Sequence, residues 1–413
     1  MQEFKSVLKN KNFVYIWISQ MFSQLTINIM NFVFLIRLFE VTGSAISTSL
    51  LWVAYALPAI LAGPFASGIV DLVDRRKMLI ITNLLQSLTI FLYALASKSN
   101  IFLIYEVVFI YSLINQFYVP SEASTLPSVL PKDKLAQGNS LFFITQQGSI
   151  VLGFAVAGLL NGFLGFQNTL FLCSFFLFIA FVSTMFLPQL RAKNKISEKF
   201  ETAFFGFFKH IVDGYSFIKG ERKVLSPFLL LIGFQVALQV AIVQVPGIAK
   251  DILHIPLNTA GIFILVPAGL GAILGALIMP KLLRIRFRKK QVIDYSLLTI
   301  GITLLAMTFI FPFFTYWIRV VLSFLSVLLM GLSFVGILVP SQTFLQEGTP
   351  PELRGRVFGN FWFLVTVASV VPVIFSGSIA EILGIRTLLL ILSLFVFAIF
   401  AISKRFGDNF LNG

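Results

Sequence analysis

Twelve apolar runs, each close to the ~20 residues a helix needs to cross a bilayer, divide this chain of 413 residues. They lie near 13–36, 47–69, 78–97, 101–119, 139–163 and 167–187, then near 225–249, 259–279, 292–311, 316–339, 357–380 and 385–403. Short charged or turn-rich segments separate them, and Lys and Arg concentrate on alternate segments. One side holds 26 of the 31 basic residues, in clusters such as Arg75-Arg76-Lys77, Arg191 to Lys223, Lys281 to Lys290, and Lys404-Arg405. The other side has only Arg37, Lys98, Lys250, Arg319 and Arg386. Because cytoplasmic loops accumulate Lys and Arg, both termini and the central segment are expected in the cytoplasm. The sequence therefore predicts an all-α, multi-pass protein of the cell's inner membrane, with twelve transmembrane helices in two pseudo-symmetric six-helix bundles.

Composition limits the function classes. Hydrophobic residues make up 58% and charged residues 12%, against about 25% charged in soluble domains. A net charge of +14 would suggest nucleic acid in a soluble protein; here it follows from the cytoplasmic loops, and no nucleic-acid partner is expected. The single cysteine, Cys173, excludes an intrachain disulfide and a Cys-based metal cluster. His210 and His254 fall on opposite sides of the membrane, so a shared metal site is not expected. No Gly-rich phosphate loop with a Lys-Ser/Thr end is present, and no motif indicates an enzyme. No cofactor is expected. The run from Phe13 lacks a small-residue cleavage site and reads as a retained helix.

The chain divides into an N-terminal half, 1–187, a cytoplasmic linker, 188–224, and a C-terminal half, 225–413. The linker mixes Phe200, Phe204, Phe205, Phe207 and Phe208 with Lys209, His210 and Asp213. That pattern suits an amphipathic helix on the membrane face as well as a plain connector. Val119-Pro120-Ser121 recurs as Val339-Pro340-Ser341, 220 residues later, and Pro131 and Pro351 keep that offset. The repetition points to parallel repeats with a solute site near the midplane between them.

Between spans two and three the chain reads Gly63-Pro64-Phe65-Ala66-Ser67-Gly68-Ile69-Val70-Asp71-Leu72-Val73-Asp74-Arg75-Arg76-Lys77. This resembles the signature loop of the major facilitator superfamily, and its Asp-Arg-Arg-Lys end is similar to drug and siderophore exporters such as the macrolide and enterobactin exporters. Thr42-Gly43-Ser44, Pro120-Ser121-Glu122-Ala123 with Pro127, Asn139-Ser140-Leu141, and Thr349-Pro350 with Leu353-Arg354-Gly355-Arg356-Val357 add to the resemblance, which covers nearly the whole chain. It implies that Asp71 faces the positive N-terminal end of span eleven, just after Arg354 and Arg356. With Arg75 or Arg76 meeting nearby acids, this would latch the halves on the cytoplasmic side. Leu72 departs from the family's usual arginine and Ser67 from its glycine, and the corresponding second-half loop, Gly275 to Lys290, lacks an aspartate. Span five carries Gly148, Gly153 and Gly158, similar to the exporters' antiporter signature, but with Phe154 where proline is usual. Close helix packing explains those glycines equally well.

Intramembrane charges are costly and hence functional candidates. Glu106, in span four, is the candidate proton-coupling group; a carboxylate reaching the outer interface is the other reading. Span one lacks the acid that many relatives carry and offers Gln20, Gln24, Asn28 and Asn31 on one helical face. With Gln116, Gln146, Gln235 and Gln239 these are candidates to line a substrate cavity, or to form interhelical hydrogen bonds. The expected function is secondary active transport, export of an amphipathic small molecule by alternating access, with protons as candidate counter-ion, in a monomer embedded in the lipid bilayer. Two other readings stay open: a lipid or lysolipid flippase on the same fold, and a membrane sensor without transport.

Overall fold

A computed structural model describes residues 6–70, 73–96, 100–190, 215–285 and 288–411. Eleven of its helices are long and apolar enough to cross a membrane, among the described residues. One of these, Leu135–Met185, has 51 residues and a break at Gly165, where φ is 76°. At ~1.5 Å per residue it is more than twice as long as the ~30 Å hydrocarbon core. It therefore holds spans five and six, and twelve crossings result.

Local chemistry sets where the spans begin and turn. Asn10 Oδ1 accepts from Asn12 N (3.0 Å) and Phe13 N (3.4 Å) at the start of span one, Lys11–Thr42. Asp74 Oδ1 accepts from Arg76 N (2.9 Å) and Lys77 N (3.4 Å) at the start of span three, Arg75–Ala96. Both fill orphan N–H positions of a first helical turn, and the aspartate also complements the helix dipole. Gly43, Gly165 and Gly384, at φ of 65°, 76° and 85°, make the tight turns after spans one, five and eleven. A side chain would strain the backbone there.

Several helices outrun the sequence expectation, two of them through prolines. Span four runs Leu103–Val129, not 101–119, with Pro120 and Pro127 inside it. Span ten runs Tyr316–Gly348, not 316–339, through Pro340. Proline removes one donor from the ladder, but neighbouring helices sustain the helix around it. The repeated Val-Pro-Ser tripeptides therefore lie inside helices, not after them.

The chain separates into two compact units: 1–41 with 53–207, and 42–52 with 208–413. The first part of span two, within Ala45–Val70, groups with the second unit. There Ser44 Oγ (2.5 Å) and Ile46 N (3.2 Å) donate to Glu381 Oε2. Trp52 Nε1 donates to Ser369 Oγ (3.2 Å), and Gln244 Nε2 reaches Ser49 Oγ (3.4 Å) and Ser376 Oγ (3.2 Å). A methyl group at Gly377 would stand 2.5 Å from Ser49 Oγ and 2.8 Å from Ala45 O, so only glycine permits this approach. In the same unit, a methyl on Gly271 would overlap Leu328 O, and one on Gly331 would overlap Ala268 O. Spans eight and ten thus touch backbone to backbone. The linker residues 191–214, proposed as an amphipathic helix, lie outside the described residues.

Candidate functional site

The first unit has a polar interior built from spans one, three, four and six. Ser19, Gln20, Ser23 and Thr26 are buried along span one. Asn83, Gln86 and Ser87 are buried on span three, and Ser112, Tyr118 and Glu122 on span four. Most of these groups tie helices together. Gln20 Nε2 donates to Phe142 O (3.1 Å), Thr26 Oγ1 to Cys173 O (3.3 Å), and Ser112 Oγ to Tyr55 O (2.6 Å). Ser87 and Ser174 exchange hydroxyl-to-carbonyl bonds of 2.9 Å in both directions.

One chain of bonds ends on a carboxylate. Asn83 Nδ2 donates to Ser19 Oγ (3.1 Å), Ser19 Oγ lies 3.3 Å from Tyr118 OH, and Tyr118 OH donates to Glu122 Oε1 (2.7 Å). Glu122 is 7% exposed and Tyr118 1%. Among the described residues, Glu122 is the sole Asp, Glu, Lys or Arg that is buried. The sequence placed Glu122 in a loop motif after span four; the lengthened helix puts it inside the bundle. Its periodicity on that helix is the signal that would have found it, had Pro120 not been read as the helix end.

Glu106, the expected coupling group, is in the first turn of span four and is exposed. The helix presents position 106 away from the protein interior. The residues expected to line a cavity differ in burial. Gln20 is buried, Gln24, Asn28, Asn31 and Gln116 are half-buried, and Gln146 is exposed. Asn28 Nδ2 donates to Gln24 O of its own helix (2.7 Å), and Gln116 Nε2 to Ser112 O (3.1 Å). In the second unit Gln235 is buried and Gln239 half-buried.

The signature loop is partly described. Asp71 and Leu72 lie outside the described residues, as do the side chains at Ser67, Arg354 and Arg356 and the surroundings of Gly68. Gly63 faces Gln116 Oε1, 3.5 Å from where a methyl would stand. Arg75 Nη1 donates to Ser124 O (3.1 Å) and Ser128 Oγ (3.2 Å), and Arg76 Nη2 to Met185 O (2.6 Å). The expectation that an arginine here meets acids is corrected for Arg76, whose guanidinium takes a carbonyl at the end of span six. A cation beside the free carbonyls of a helix C-terminus is favourable. The second unit repeats the arrangement with other chemistry: Lys289, starting span nine, meets Glu347 Oε1 and Oε2 at 2.6 Å, at the end of span ten.

Of the span-five glycines, Gly153 touches span one, where a methyl would stand 2.6 Å from Asn28 Cβ. Gly148 has open space within 4 Å, and Gly158 is buried. Gly153 is thus a packing position.

Residues 16–371 match the sequence profile of the Major Facilitator Superfamily. The chain belongs to that superfamily. It is 24% identical over 381 residues to the uncharacterized MFS-type transporter YfiS of Bacillus subtilis (strain 168), covering 90% of this chain and 88% of that one. It is 25% identical over 375 residues to the multidrug efflux pump Tap of Mycolicibacterium fortuitum, covering 85% of each. Among solved structures, the nucleoside transporter NupG aligns with a TM-score of 0.75 at 16% identity, over 95% of this chain and 98% of that one; the likeness is one of fold. This is a multi-pass membrane transporter.

Proposed function

We propose that this transporter exports amphipathic small molecules by alternating access, with protons as counter-ion, as in the macrolide- and enterobactin-exporter branch. The observation that carries this reading is the end-to-end likeness to a multidrug efflux pump, over 85% of both chains. The Asp74-Arg75-Arg76-Lys77 loop supports it. Charge asymmetry supports cytoplasmic termini and insertion in the inner membrane. A monomer suffices, since the family repeat is already present twice within one chain.

Reconstitution tests the reading. Proteoliposomes loaded in turn with a hydrophobic cation, a macrolide and a siderophore-like chelate are given a pH gradient. Gradient-dependent movement of at least one class is expected. Failure of all three, with fluorescent lipid crossing between leaflets instead, would replace export by a flippase.

A further inference from the structure

The Asn83–Ser19–Tyr118–Glu122 chain has a polarity. An Asn Nδ2 can only donate, so Ser19 Oγ is the acceptor at 3.1 Å. The Ser19 hydroxyl proton is then free for Tyr118 OH at 3.3 Å, and the Tyr118 proton is directed at Glu122 Oε1 at 2.7 Å. Three neutral donors from three helices thus line up on one carboxylate, each polarising the next.

Among the described residues, what the site lacks is a cation. Span one brings Ser19 to the chain, and its own charged groups, Lys11, Arg37 and Glu40, stand toward its ends. Span three contributes Asn83; its Arg75 lies nearest along span four but donates to Ser124 O and Ser128 Oγ. Leu135–Met185 contains no Asp, Glu, Lys or Arg at all. Among the described residues, Tyr118 is the one titratable side chain in hydrogen-bond contact with Glu122. An ionised carboxylate with a single neutral donor is expensive to keep out of water, and the proton is the cation that fits without rearranging the packing. The 220-residue repeat carries Tyr118 and Glu122 to Leu338 and Gln342. The dyad therefore belongs to one half only, as a functional group does and a packing element common to both repeats does not.

We propose that Glu122 is the group at which this transporter takes up and releases a proton, oriented by Tyr118, Ser19 and Asn83. The carboxylate gains one proton from water and returns it to water, with no other bond changed. The inference rests on the antiport reading above for its purpose, but its test needs no substrate. Acid-minus-alkaline infrared difference spectra would be recorded on the full chain in lipid nanodiscs. The parent should show a carboxylic-acid C=O band of the kind given by an acid shielded from water. Glu122→Gln should lose that band, Glu106→Gln should keep it, and Tyr118→Phe should shift it by removing the hydrogen bond. A parent without the band, or one unchanged in both Glu122→Gln and Tyr118→Phe, overturns the inference. If Glu122→Gln fails to fold, an unshifted band in Tyr118→Phe is enough to overturn it. Export without the band would leave the export reading standing; the band without export would remove that reading alone.

Discussion

Glu106 and Glu122 occupy one helix, 16 residues apart, in opposite surroundings. The first is exposed; the second is 7% exposed and receives a phenolic hydrogen bond. Substitution of an exposed residue usually changes stability by about 0.5 kcal/mol or less. Glu106→Gln should therefore melt with the parent in scanning fluorimetry and respond equally to a pH gradient in the reconstituted assay. Loss of that response would return coupling to the other end of span four. Lys289 and Glu347 form a close pair, yet their side chains are 28% and 60% exposed. Such pairs contribute about 0–1 kcal/mol, so Glu347→Gln should lower the melting temperature slightly, with most of the difference disappearing in high salt.

At the scale of elements, glycine positions decide which helices meet. Gly331→Ala would drive a methyl into the Ala268 carbonyl, and backbone cannot step aside as a side chain does. Overpacking costs about 1–3 kcal/mol where neighbours can shift, and here more is expected. Gly331→Ala should lose much of its folded yield on size-exclusion chromatography. Gly148→Ala, with nothing within 4 Å, should match the parent, and Gly153→Ala, 2.6 Å from Asn28 Cβ, should fall between them. Equal yields for all three would contradict the packing described. From sequence these glycines look alike, because helical spacing reports a shared face and not what stands opposite. The same limit applies to the prolines. Pro120 and Pro340 were legible as breaks, and only packing from adjacent helices shows that the helix continues through them.

For the whole molecule, orientation can be tested with the chain's own chemistry. Cys173 is fully buried and has no disulfide partner, so the parent should resist a membrane-impermeant maleimide until denatured. Phe163→Cys, at a position 84% exposed near the turn after span five, should react in intact cells. Lys404→Cys, exposed on the basic end of span twelve, should react only after permeabilisation. The reverse pattern would invert the topology. Twelve crossings, the repeat and the superfamily were legible without coordinates. Hydrophobic length, charge asymmetry and recurring motifs are properties of a one-dimensional string, since each span satisfies its backbone internally. Which carboxylate is withdrawn from water, which arginine meets a carbonyl, and which glycine touches a backbone were decided only by tertiary structure. Burial is set by the neighbours that other helices bring, and no segment carries that information alone.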